Sequence, residues 1–260
     1  MSIDYFLKKT GLCKEDFKKL MPTFNWTAMM EKAGVGKEKS AIIAQVDYQK
    51  NLDGLIQKTP IDTWKVFLKW GIINNASTYL TTELDKQQFE FNGKILNGTE
   101  KPREDWKRAV ATVSNGLGEM IGKLYVEKHF KPEAKEKMTV MVKNLLKAYG
   151  ESIKTLDWMS EDTKKEALKK VDKFIVKIGY PDKWKDYSSV KINKKDLFGN
   201  IQRAGEFEYK RSLEKLGKPV DKTEWGMTPQ TVNAYYNPTV NEIVFPAAIL
   251  QPPFFDLNAD

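Results

Sequence analysis

Apolar residues in the first two-thirds of this chain recur every three to four positions, a period that fits helices and excludes long strands. Trp64, Phe67, Leu68, Ile72 and Tyr79 keep that spacing after the starter Thr59-Pro60-Ile61-Asp62. A second helix is expected from Pro132, a good first-turn residue. It carries Ala134, Met138, Met141, Val142, Leu145, Leu146 and Tyr149 on one face and stops at Gly150. A third follows the N-cap Ser160, with Glu161 and Asp162 in its first turn. Its stripe is Ala167, Leu168, Val171, Phe174, Ile175 and Ile178, closed by Gly179 and Pro181. Such stripes read as core surface.

Two stretches are less regular. AIIAQV, residues 41–46, fits a short buried strand or the start of the next helix. VSNGLGEMIGKLYVEKHF, residues 113–130, has a helical pattern interrupted by Gly116, Gly118 and Gly122. Glycine inside a helix costs about 1 kcal/mol relative to alanine, so three of them imply a close helix–helix approach. A phosphate loop is disfavoured, because the Gly-Lys-Ser/Thr ending is missing and no strand clearly precedes the run.

The character changes after about residue 195. Residues 197–225 read as another helix and a polar connection containing Gly217 and Pro219. VNAYY and EIVF are then β-branched and aromatic runs separated by the turn signal Asn237-Pro238, which predicts a hairpin. The following tail, with Pro246, Pro252, Pro253, Phe254 and Phe255, is apolar but cannot form a regular helix. Either it folds back on the helices or a segment outside these residues covers it.

Composition narrows the chemistry. The net charge of +8 is interleaved, as in EDTKKEALKKVDK at 161–173, so it reads as solvated helix faces and no nucleic-acid partner is expected. No apolar run approaches the roughly 20 residues of a membrane span, and no leader or anchor is read in these residues. The single cysteine, Cys13, forms no internal disulfide. The single histidine, His129, cannot build a His-x-x-x-His zinc pair and is expected at the surface near a helix end. N-x-S/T sequons at Asn25, Asn75 and Asn97 are read as chance occurrences.

VNAYYNPTVNEIVFPAAILQPPFFD closely resembles the segment that precedes the zinc-binding helix in neprilysin-type zinc metallopeptidases. VSNGLGEMIGKLYVEKHF and KTLDWMSEDTKKEALKKVDKF resemble family strings as well, in family order. The resemblance implies a mainly α fold: a multi-helix cap domain, partial, over 1–195, and the first helix and β-hairpin of a zincin-like α/β catalytic domain over 196–260. It implies short peptides as substrates. The Asn233 side chain and Ala234 backbone match positions that hold the substrate main chain. Ile249 and Phe254 match positions lining the pocket for the residue after the scissile bond, although plain core packing accounts for these two equally well.

The family's HExxH helix, its third zinc-binding glutamate and its oxyanion-stabilising histidine have no counterpart here. The expectation is therefore an internal or truncated piece of such an enzyme. It binds no zinc by itself, lacks activity alone, and pairs with the missing remainder of the catalytic domain. The alternative is a non-catalytic peptide-binding or interaction module.

Overall fold

The computed structural model describes residues 11–43 and 45–259, and its contacts divide into two units. Of the described residues, the first comprises those within 11–102, 195–198 and 209–216, and the second the remainder.

In the first unit, β1 (Gly11–Cys13) pairs antiparallel with β2 (Ser40–Ile42). Helices α1 (Lys14–Leu20), α2 (Trp26–Lys32) and α3 (Val46–Lys58) follow in chain order around that pair. The run at 41–46 thus divides between a strand and a helix start, and the strand is exposed rather than buried. Phe17, Met21 and Met30 form the small core, with the Phe17 and Trp26 rings 5.2 Å apart. Asp53, also buried, accepts bonds from the Thr23 N–H at 3.2 Å, the Thr23 hydroxyl, and Gln57 Nε2 at 3.0 Å. The asparagine of the first sequon, Asn25, caps α2 by accepting the Ala28 N–H.

Helix α4 (Ile61–Ala76) begins where the Thr-Pro starter placed it, but its apolar stripe is not core. Phe67, Leu68 and Ile72 are exposed, as are Ile61, Val66, Trp70 and Ile73. A 3.6-residue period fixes which residues share a face, not whether another element covers that face. A 3-10 turn (Ser77–Tyr79), α5 (Thr82–Gln88) and a π-helical stretch (Phe89–Leu96) complete the unit.

The second unit is built from α6 (Asp105–Gly116), α7 (Gly118–His129), α8 (Pro132–Thr155), α9 (Glu161–Asp172) and a three-stranded sheet, with residues 199–208 of α10 (Leu197–Leu213). The glycine-rich run is therefore two helices broken at Leu117, whose φ of −130° and ψ of 43° lie outside the helical region. Helix α8 runs through Gly150 to Thr155 instead of stopping there. Ala134, Met138 and Val142 are buried on it, whereas Met141, Leu145 and Tyr149 are exposed. Ser160 caps α9 as expected, accepting the Thr163 N–H at 3.3 Å.

The stripe expected to continue α9 to Ile178 ends at Asp172. Residues Ile175–Gly179 form β3, pairing in parallel with β5 (Glu242–Pro246) from Ile175↔Glu242 to Gly179↔Pro246. The β-branched residues Ile175, Val176 and Ile178 suit a pleated surface, and that long-range pairing overrides the local helical period. β4 (Tyr235–Asn237) pairs antiparallel on the other side of β5, giving the order β3-β5-β4 and the expected hairpin.

The core of this unit gathers Val126, Phe130, Ala134, Met138, Val142, Ile178, Ala247 and Leu250. Among the described residues, no helix is long and apolar enough to cross a membrane.

Candidate functional site

The sheet has one open flank. β4 bonds only to β5 among the described residues, through Tyr235↔Val244, Tyr236↔Ile243 and Asn237↔Glu242, so its outer edge offers N–H and C=O groups to another extended chain. Asn233 and Ala234 lead directly into that edge. Asn233 is exposed and its Oδ1 accepts the Ala234 N–H at 2.8 Å, which orients the amide beside the start of the strand.

The lead-in is clamped onto α7. Pro229 is fully buried and its carbonyl accepts the Ala248 N–H at 2.9 Å. Gln230 Nε2 donates to the Gly118 carbonyl at 3.0 Å, and the Thr228 and Thr231 hydroxyls are 3.0 Å apart. Glycine is what permits this approach. A Cβ on Gly118 would sit 2.6 Å from Thr228 Cγ2, and one on Gly122 would sit 2.6 Å from Pro229 Cδ. The glycines expected to mark helix–helix contact thus do so only at Gly116, which faces Ala204 of α10. The other two seat the segment that feeds β4.

Sequence reasoning missed the ion pair beneath the hairpin. Lys177 of β3 meets Glu242 of β5 at 2.6 Å, with side chains only 9% and 4% exposed. The same ammonium donates to the Glu224 carbonyl at 2.6 Å, which draws the 217–231 connection against the sheet. The signal was available as a lysine between Val176 and Ile178 in IVKIG and a glutamate directly before the apolar run of EIVF. The Tyr235 hydroxyl accepts the Gly226 N–H at 2.7 Å. Burial pushes its phenol above the ordinary value, the Gly226 bond opposes that, and the Glu242 charge adds to it.

The two apolar candidates are placed differently. Ile249 is half-buried and packs against the core. Phe254 is 68% exposed in the turn that follows Gln251. Phe255 and Leu257 fold back onto the core, and Lys137 of α8 donates to the carbonyls of Leu257, at 2.9 Å, and Ala259. Most of the tail therefore returns to the helices, while Phe254 stays exposed.

His129 ends α7 at the surface, its ring 5.2 Å from that of Tyr125. No group of three or more His, Cys, Asp or Glu that could hold a metal occurs among the described residues.

Family models for peptidase family M13 match residues 13–181 and 233–260. An endothelin-converting enzyme homolog of Locusta migratoria is 33% identical over 255 residues, covering 91% of this chain and 35% of that protein. Human endothelin-converting enzyme 1 is 32% identical over 258 residues, covering 92% and 33%. The Mycobacterium tuberculosis zinc metalloprotease Zmp1 superposes with a TM-score of 0.88 at 43% identity, covering 96% of this chain and 38% of that one. PepO from Lactobacillus rhamnosis gives 0.80 at 25% identity, covering 96% and 40%. The chain spans about a third of the length of the curated relatives it matches.

Proposed function

Because the chain belongs to peptidase family M13, we propose that its open β4 edge holds the main chain of short peptide substrates of a zinc metalloendopeptidase. The observation that carries this reading is the unpaired edge itself, reached through a lead-in clamped on α7. An extended peptide gains affinity from backbone hydrogen bonds along such an edge, and side-chain pockets give selectivity. The Asn233 amide and the Ala234 carbonyl are the groups that grip it. Residues 1–195 contribute part of a helical cap, and residues 196–260 the start of the catalytic domain. Ile249 and Phe254 belong to the pocket for the residue after the scissile bond, with Phe254 available because nothing in the tail covers it.

The residues present do not fit the family's zinc. A single exposed histidine and the lack of any candidate ligand group among the described residues leave nothing to hold the ion, so no hydrolytic step is assigned to them. The 260 residues are then a substrate-holding part of a larger catalytic fold, inactive alone. Seven apolar side chains exposed on α4 support this.

The test is elemental analysis of the purified chain with a fluorogenic peptide assay, followed by titration of the same peptide made non-cleavable. We expect no stoichiometric zinc, no cleavage, and saturable binding that Asn233→Ala weakens. One tight zinc per chain with turnover would contradict the inactive reading. Binding indifferent to Asn233 would contradict the role of the edge.

A further inference from the structure

The turn that joins β4 to β5 forms the floor of a cleft of about 400 Å³ against the C-terminal half of α9. Four lysines line it (Lys169, Lys170, Lys173 and Lys222) with one carboxylate, Glu166. Glu166 is already held by Lys169 at 2.6 Å, and that contact, aided by the charge of Lys173, keeps its carboxyl below the ordinary range. The neighbouring Asp221 carboxylate is likewise taken up by the Thr223 N–H and hydroxyl, at 2.8 and 2.7 Å. Among the described residues none of Lys170, Lys173 and Lys222 lies within salt-bridge distance of a carboxylate, and the Lys170 ammonium lies 5.9 Å from the Tyr236 ring; the lining carries four positive charges against the one negative charge of Glu166. Like charges held together repel one another, and an anion between them removes that repulsion.

The floor is built rather than loose. Asn241 has a left-handed φ of 55°, its carbonyl accepts the Ile175 N–H at 2.9 Å, and its Nδ2 donates to the Lys170 carbonyl at 2.8 Å. Thr239 bonds Asn237 Oδ1 through both its N–H and its hydroxyl. The turn is thus fastened to the α9–β3 junction, from which Lys169, Lys170 and Lys173 extend.

We propose that this cleft binds a compact polyphosphate, such as the di- or triphosphate moiety of a nucleotide or a multiply phosphorylated lipid headgroup. Lysine ammoniums are point-charge phosphate ligands, and three of them match the charge of such a group better than that of a single carboxylate. The volume admits a phosphate chain but lies at the small end of ligand pockets.

The test is calorimetric titration of the full chain with inorganic tripolyphosphate, then with ATP, then with vesicles containing a phosphoinositide bisphosphate. Saturable tripolyphosphate binding is expected, weakening with salt, with amide shifts centred on Thr239 and Asn241. Lys173→Ala combined with Lys222→Ala lowers affinity about tenfold. Lys128→Ala with Lys131→Ala removes equal charge on elements that do not line the cleft and leaves it unchanged. Comparable ATP binding identifies a soluble source, and preferential vesicle binding a lipid one. No saturable binding at millimolar ligand, or equal losses in the two double variants, would overturn the proposal.

Discussion

Gly122→Ala tests the clamp under β4 with one methyl group. The new Cβ would lie 2.6 Å from Pro229 Cδ, 2.9 Å from Gln230 Oε1 and 3.1 Å from Pro229 Cγ. Pro229 cannot retreat freely, since it is fully buried and its carbonyl holds the Ala248 N–H. Overpacking of this kind costs about 1–3 kcal/mol. Alanine's better helix propensity returns up to about 1 kcal/mol. From a mid-range overpacking cost of about 2 kcal/mol the net loss is then about 1–2 kcal/mol, or a Tm lower by roughly 2–8 °C for a chain of this size. Gly71→Ala is the matched control, because nothing lies within 4 Å of its Cβ position in α4. That variant gains up to about 1 kcal/mol. Urea and thermal unfolding of the two variants should move in opposite directions. A Gly122→Ala protein as stable as the parent would refute the argument that α7 glycines seat the lead-in.

Three further outcomes follow from the site. Lys177→Met strands a buried carboxylate at Glu242 and costs about 3–5 kcal/mol by urea unfolding, most of it recovered when Glu242→Leu is added. Asn233→Ala changes stability by no more than about 0.5 kcal/mol, because the side chain is exposed and its one described bond is local, yet weakens peptide affinity about tenfold. Tyr235 titrates above the ordinary phenol value of 10.0, so the folded state keeps its proton where the unfolded state loses it. Its contribution to stability is intact below pH 10.0 and declines as pH rises through the folded value, which urea unfolding of Tyr235→Phe and the parent across that range will show.

Much of this was legible in the sequence because the signals are local. Pro132 and Ser160 begin α8 and α9 through first-turn and capping chemistry, and Asn237-Pro238 sets the hairpin through turn geometry. What escaped depends on residues far apart in the chain. Phe174–Ile178 keeps the apolar spacing of α9, and only β5, more than sixty residues on, makes Ile175–Gly179 a strand. Gly118 and Gly122 announce a close approach, but the approaching group is Pro229 and its neighbours rather than a helix. The exposed face of α4 shows the same limit from the other side: periodicity described it correctly and could not say that it would be uncovered.

The central claim is that the outer edge of β4 receives an extended peptide. Hydrogen–deuterium exchange of the 260-residue chain, with and without a non-cleavable apolar peptide, tests it most directly. Slowed exchange confined to residues 233–237 is the predicted result. Unchanged exchange there at saturating peptide, or protection elsewhere with that edge still open, would contradict the account.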